Sequence, residues 1–244
     1  MLSDRPRSTL PLRVSGFVAA SVIGLLLLLP ATALSQTPEQ PKPAAEKSTK
    51  KTAETDPLTT PKLATEKAPE RFRVAFETTT GPFVVEVVRA WSPNGADRFY
   101  NLVKIGFFEE IAFFRVMDGF MAQFGIHGDP TVSRVWKRAT IKDDPVVESN
   151  KRGMLSFAKT GRPNSRTTQI FINFSDNTNL DKTGFSPFAR VVEGMDAVDK
   201  IYKIGEGAPG GKGPNQQRIQ SQGNSFLKTN YPQLDYIKSA RIID

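Results

Sequence analysis

Beyond residue 70 the chain alternates apolar and polar side chains with a period of two. Phe72, Val74 and Phe76 fall among Arg71, Arg73 and Glu77; after Gly81-Pro82, Phe83, Val85 and Val87 point one way and Glu86 the other. Such alternation marks strands with one buried face and the Gly-Pro pair marks a turn, so a hairpin is expected. The period then lengthens. Ser92-Pro93 is a helix start, because serine can cap free amides and proline suits the first turn, and Ala96, Phe99, Leu102 and Val103 recur at helical spacing until Gly106. Strand-like runs follow at 111–117, 119–125, 153–158, 169–174 and 185–191. A second helix is expected from Glu193 to about Lys203, on a stripe of Met195, Val198, Ile201 and Tyr202, and a last strand at 236–243 should return beside the first. Many short strands with two helices predict a mainly β fold, an antiparallel barrel closed at its ends. The glycine-rich stretch 205–213 has neither the strand that precedes a dinucleotide fingerprint nor the Gly-Lys-Ser/Thr ending of a phosphate loop. It reads as a surface loop, and 205–233 as a long hairpin at the barrel end.

Upstream the pattern is different. Arg5, Arg7 and Arg13 precede an uncharged run at 14–29 that ends in five leucines; Pro30 stops it and the small residues of ATALSQ follow. This is the layout of a secretory signal, with cleavage after Ala33 or Ser35. An uncleaved membrane anchor is the alternative, but sixteen residues interrupted by Ser15, Gly16, Ser21 and Gly24 fall short of the ~20 apolar residues a spanning helix needs. Residues 36–70 are rich in Pro, Thr, Lys, Glu and Ala and hold no aromatic side chain, so they cannot bury enough apolar surface to offset the entropy of ordering them. The expected organisation is a signal peptide at 1–35, a disordered tether at 36–70 and one folded domain at 71–244. The product would be periplasmic or secreted.

Composition removes several kinds of chemistry. There is no cysteine, hence no disulfide, thiolate nucleophile or cysteine-held metal, and the single histidine, His127, rules out multi-histidine metal sites and leaves little room for a Ser/His/Asp triad. His127 reads as a loop residue. The folded part carries 24 basic and 18 acidic residues, but they are dispersed and form no basic stripe, so nucleic acid is not expected as the main partner.

The informative segment is 113–123, FFRVMDGFMAQ. Arg115 stands between apolar clusters with Gln123 downstream. An arginine is always charged and can only donate hydrogen bonds, so it cannot act as general acid or base. Such a site suits a reaction in which no covalent bond is made or broken. Other readings of the same residues stay open: Arg115 could pair with Asp118 or Glu110 at the rim of the core, Gln123 could merely satisfy backbone amides, and Phe120, Met121 and Phe171 could be barrel core.

Three separated segments, FFRVMDGFMAQ, GMLSFAKTGRPNSRTTQIFI and NLDKTGFSPFARVVEGMDAVDKI, occur in the order and spacing of one family. From Phe72 to Ile243 the chain resembles the cyclophilins, the cyclosporin-type peptidyl-prolyl cis/trans isomerases. The resemblance implies a closed eight-stranded antiparallel barrel capped by two α-helices. It implies that Arg115 is catalytic, with Gln123 binding the substrate backbone. Phe120, Met121, Phe171 and Leu180 would form the pocket for the proline ring; Gln169 would stand on its rim, Ala158 would offer a backbone contact, and Phe185 would replace a rim histidine. Either Lys159 or Thr160 would face the substrate. Phe114 stands where many members have histidine, and Asn179 where the cyclosporin-binding tryptophan is found, so drug sensitivity and sequence preference are not carried over.

The expected function is therefore acceleration of rotation about Xaa-Pro bonds in exported proteins, assisting their folding. The partners would be proline-containing polypeptides and the enzyme a monomer. No cofactor or metal is expected, since rotation transfers neither electrons nor groups. The alternative is a proline-peptide-binding module or chaperone that uses the same groove without turnover.

Overall fold

The computed structural model describes residues 56–243. The expected signal segment and the tether as far as residue 55 lie outside the described residues. The alternating segments form the expected hairpin: β1 (Arg71–Thr78) pairs antiparallel with β2 (Phe83–Val88), Phe72 opposite Val87 and Phe76 opposite Phe83. The rings of Phe76 and Phe83 stack 4.7 Å apart, and Phe99 from α1 (Pro93–Lys104) packs over Phe76 to close one end of the core. Seven further strands complete the sheet among the described residues: β3 (Ile111–Ala112), β4 (Arg115–Met117), β5 (Met121–Phe124), β6 (Met154–Phe157), β7 (Ile170–Asn173), β8 (Pro187–Glu193) and β9 (Tyr236–Ile242). The last strand does lie beside the first, with Val74 opposite Ile242.

The closed eight-stranded barrel is not what forms. The strand order is β3-β9-β1-β2-β8-β6-β7-β5-β4, nine antiparallel strands with β3 and β4 at the two edges, and no ladder joins those edges among the described residues. Two residues separate β3 from β4 along the chain, so the sheet must curl until its edges meet. Phe113 and Phe114 bridge the seam. Phe113 N–H donates to Asp235 O beside β9 and Phe114 N–H to Gln123 O of β5, each extending its own edge. With strands only two and three residues long at the seam, no room is left for a ladder, and a half-barrel results.

Nor are there only two helices. The stripe expected from Glu193 to Lys203 yields the short α3 (Met195–Asp199), which buries Ala197 and Val198, while Tyr202 stands exposed. Two helices were not foreseen: α2 (Pro130–Trp136), capped by Asp129 through Thr131 N–H, and α4 (Gln216–Asn230), capped by Asn215. α4 occupies the segment expected to be a hairpin. It carries few apolar residues and breaks at Gly223, whose φ of 62° lets the chain pass so close to Gly128 that a Cβ there would lie 2.0 Å from the Gly128 carbonyl oxygen. Ile219, Phe226 and Leu227 of α4 join Ala112, Phe114, Ile126 and Leu234 in a second, smaller core beside the main one. No helix among the described residues is long and apolar enough to cross a membrane.

The boundary expected at residue 71 also moves. Residues 56–70 lie along the domain: Trp136 Nε1–H donates to Leu58 O, Asn101 bonds both the N–H and the C=O of Glu66, and Asp97 accepts from Ala68 N–H. Polar composition made this strap look like tether. It is held by backbone hydrogen bonds to side chains that the domain supplies, with Ala68 buried and Leu58 and Ala64 half-buried against the main core.

One more expectation is corrected. Ser92 does not cap α1 with its own oxygen; its Oγ–H donates to Asp144 Oδ2 at 2.6 Å, and the Asp144 carboxylate receives the N–H groups of Asn94 (3.1 Å) and Gly95 (3.0 Å). Arg166 Nη2 completes the set at 2.9 Å, with both partners' side chains almost fully buried. Burial alone would raise the Asp144 pKa, but the hydrogen bonds from Ser92, Arg166, Asn94 and Gly95 outweigh it and hold the carboxyl below the usual aspartate value. Because the folded pKa is depressed, ionisation favours the folded state above the ordinary aspartate value of 3.8 and this support is lost as pH falls through the folded value. The difference in urea midpoint between the wild type and Asp144→Ala, which cancels the other titrating groups, should hold steady above pH 3.8 and shrink as pH falls below it. Asp144→Ala, which leaves the buried Arg166 only the half-buried Asp143 at 3.4 Å as a counter-charge, should cost up to about 3–5 kcal/mol at neutral pH in the same unfolding assay.

Candidate functional site

Across β4, β5, β7 and β6, Arg115 lies opposite Gln123, Gln123 opposite Phe171, and Phe171 opposite Ser156. Because successive side chains alternate between faces, Val116, Ala122 and Phe124 enter the main core while Arg115, Met121 and Gln123 share the opposite face. That face is the floor of a groove of about 580 Å³. All nine residues expected at the site line it: Arg115, Phe120, Met121, Gln123, Ala158, Gln169, Phe171, Leu180 and Phe185. Met121 and Phe171 are thus buried against the groove and are not part of either core cluster. Both Lys159 and Thr160 reach the groove, and Lys159 Nζ lies 5.8 Å from the Phe185 ring centroid.

A hydrogen-bonded line runs along one wall. Arg115 Nη1 donates to Gln123 Oε1 at 3.0 Å, and Gln123 Nε2 donates to Gln169 Oε1 at 2.8 Å; Met121 Sδ lies 3.9 Å from Nη1. The amide of Gln123 is therefore oriented by the guanidinium and serves side chains, not backbone amides. Gln169 O also accepts from Ala158 N–H at 2.9 Å, which ties the two rim positions together.

The apolar wall opposite comes from the loop before β8. Leu180 sits in a 3-10 turn (Thr178–Thr183) and Phe185 follows it, with its ring edge-on to Phe171 at 5.6 Å. This loop is anchored from below: Asp181 accepts from Ser149 Oγ–H and from both the N–H and Nδ2 of Asn150, and Asn150 Nδ2 also donates to Phe185 O. Burial opposes ionisation of Asp181, but those three donors hold its carboxyl below the usual range.

Two pairings weighed for Arg115 do not occur. Glu110 pairs with Lys228, and Asp118 is no partner of the guanidinium; Arg115 is gripped by Glu206, Nε to Oε1 at 2.7 Å and Nη2 to Oε2 at 2.6 Å. The arginine keeps its place on the groove, with 23 % of its side chain exposed. Glu206 lies in the glycine-rich stretch 205–213, expected to be a surface loop. Gln216 and Gln220 of α4 also line the groove, as do Lys137 and His127. The signal for Glu206 was present as a lone acid inside GEGAPGGKG; Gln216 and Gln220 had none, because their helix was unforeseen. His127 Nδ1 accepts from Asp129 N–H, its ring rests 5.2 Å from Phe107, and burial holds its pKa below the usual histidine range. Among the described residues, no three of His, Asp or Glu gather where they could hold a metal ion.

A sequence model of the family described as cyclophilin type peptidyl-prolyl cis-trans isomerase/CLD matches residues 73–223. Peptidyl-prolyl cis-trans isomerase B of Escherichia coli (strain K12) is 34 % identical over 145 residues, covering 56 % of this chain and 88 % of the relative. A peptidyl-prolyl cis-trans isomerase of Acinetobacter baylyi is 34 % identical over 136 residues, covering 54 % of this chain and 72 % of the relative. Among solved structures, a Cryptosporidium parvum cyclophilin-type isomerase superposes with a TM-score of 0.52 at 20 % identity, covering 71 % of this chain and 98 % of that one. The cyclophilin AquaCyp293 of Hirschia baltica gives 0.52 at 19 % identity over 80 % of each chain. At such identities the structures speak for the fold alone.

Gly125 ends the strand that carries Gln123. Its φ is 101°, and a Cβ there would lie 2.2 Å from the Thr168 carbonyl oxygen, next to Gln169. Gly125→Ala should cost at least about 1–3 kcal/mol in stability and push β7 away from β5. Thermal melting reads the first effect, and loss of the contact between the Gln123 and Gln169 amides, followed by side-chain amide NMR, reads the second.

Proposed function

Since the chain belongs to the cyclophilin-type peptidyl-prolyl cis-trans isomerase family and has the cyclophilin-like fold, we propose that the Arg115 groove is where an Xaa-Pro bond is turned. Resonance of the prolyl nitrogen lone pair into the carbonyl sets a rotational barrier of about 20 kcal/mol, so uncatalysed exchange takes tens to hundreds of seconds. Half-way through rotation that resonance is lost. The nitrogen becomes pyramidal and basic, and the carbonyl becomes less polar. A donor aimed at the nitrogen therefore binds the twisted form better than either planar form, which is the condition for catalysis.

The observation that carries this reading is the state of the Arg115 fork. Glu206 takes Nε–H and one Nη2–H, and Gln123 takes one Nη1–H. One N–H on Nη2 then has no protein acceptor among the described residues, and Nη1 beyond its bond to Gln123 meets only the weak thioether acceptor Met121 Sδ at 3.9 Å. The guanidinium lines the same groove as the apolar side chains of Phe120, Met121, Phe171 and Leu180, which would receive the proline ring. Gln123, Gln169 and the backbone of Ala158 would hold the peptide on one side of the bond while the other side turns, with the rim of Phe185 limiting access of water.

A charged hydrogen bond contributes about 1.5–3 kcal/mol, or roughly one to two powers of ten in rate. Arg115→Ala is expected to lower kcat/KM at least that far, through kcat, while a proline peptide still binds with measurable affinity; exchange NMR for turnover and calorimetry for binding separate the two. Equal loss of both would remove Arg115 from the chemical step.

The clients we propose are exported polypeptides. The basic residues ahead of the uncharged run at 14–29, and the small residues after it, support export of the domain itself. N-terminal sequencing of the protein recovered outside the cytoplasm should begin at Leu34 or Gln36. An intact Met1 in the membrane fraction would identify the anchored form instead.

A further inference from the structure

The glycine-rich stretch 205–213, expected from its composition to be a surface loop, meets through Glu206 the guanidinium that the proposed chemistry needs. We propose that this loop is a built arm of the groove and that Glu206 is the positioning residue that aims Arg115. The inference rests on the reading of Arg115 given above.

Three observations carry it. First, the contact is two-pronged: both carboxylate oxygens of Glu206 meet the Nε–Nη2 edge of Arg115, at 2.7 and 2.6 Å. Such a fork-to-fork pair fixes the plane of a guanidinium as well as its position. A lone arginine has several rotatable bonds and would spread its donors over many directions. Held by that edge, Arg115 keeps one N–H on Nη2 for a ligand, and on Nη1 a donor that only the thioether of Met121 engages, at 3.9 Å.

Second, the carboxylate is itself held. Glu206 Oε1 accepts from Gly207 N–H at 2.8 Å, and Gly205 N–H donates to Val116 O at 2.7 Å. Val116 is the residue next to Arg115 on β4, so the arm is fastened to the strand whose side chain it aims. Third, the glycines are used. Gly213 N–H bonds the Glu206 carbonyl at 2.8 Å, and the loop winds tightly round that residue: a Cβ on Gly211 would lie 2.3 Å from Glu206 O, and one on Gly213 would lie 2.9 Å from it. A run of residues with side chains could not close at this radius. The glycine-rich composition is what brings a carboxylate to the fork.

An arginine is always charged, and the grip takes only one of the two Nη2–H donors, so aiming outweighs the partial loss of field. Glu206 stays ionised under ordinary conditions, because the hydrogen bonds from Arg115 hold its carboxyl below the usual glutamate range against the opposing effect of burial.

The test is a double-mutant cycle on the full chain, with kcat and KM from exchange NMR on a proline peptide, peptide Kd from calorimetry, and solvent exchange of the Arg115 Nε–H from nitrogen-15 spectra. E206A and E206Q are expected to lower kcat about tenfold, change Kd less than twofold, and expose the Arg115 Nε–H to fast exchange. In an R115A background, E206A should lower turnover no further, because it acts only through the arginine. G211A keeps the carboxylate but displaces the arm; it should show the same split in milder form, and it carries the test should E206A fail to fold. An unchanged or raised kcat in E206A or G211A overturns the proposal, as does an additive loss in the double mutant. Turnover that survives R115A alone would remove the reading of Arg115 and this inference with it, whereas an inactive R115A beside a fully active E206A removes this inference only.

Discussion

The groove depends on one constraint, the register of β4 against β5 and of β5 against β7. A strand has two faces, and a slip of one residue would exchange them. Val116, Ala122 and Phe124 are completely buried in the main core, so such a slip would drive Arg115 and Gln123 into an aromatic interior at prohibitive cost. The burial of three apolar side chains on one face therefore places a cation, an amide and an apolar floor in line on the other. The site inherits its precision from the core behind it.

What the sheet supplies is a cation at the edge of an apolar trough, and what surrounds it comes from elsewhere in the chain. The carboxylate that meets Arg115 arrives from 91 residues downstream. The apolar wall of Leu180 and Phe185 is set by Asp181 and Asn150, groups outside the groove. Gln216 and Gln220 come from a helix that is fixed by a second core of its own, where Ile219, Phe226 and Leu227 meet Phe114 at the seam of the half-barrel. The open seam and the added helix are thus one arrangement: apolar surface exposed where the sheet fails to close is covered by α4, and α4 in turn deepens the groove.

The same division explains which expectations held. The hairpin of β1 and β2, the helix after Ser92-Pro93 and the strand that returns beside β1 were legible because each is written in a local period. The groove residues were legible from the family likeness, and the alternating pattern was consistent with it; periodicity alone could not have told Met121 and Phe171 from core. α4 was not legible, since a polar segment broken by Gly223 has almost no helical stripe. Nor was the strap at 56–70, whose order rests on Asp97, Asn101 and Leu58 finding distant partners. Ser92 had the right chemistry for a cap, but Asp144, 52 residues on, outcompetes it with a full charge.

By itself the sequence determined which residues could be buried together, where the backbone had to turn, and that an undeprotonatable donor would stand among apolar neighbours; these follow from side-chain chemistry and from periods of two and 3.6. Only the tertiary structure decided which charges meet. The pairs Arg115 with Glu206 and Arg166 with Asp144 join partners far apart in the chain, and an ion pair leaves no periodic trace: any of the many acids could have served each arginine until the packed core fixed which one lay within reach.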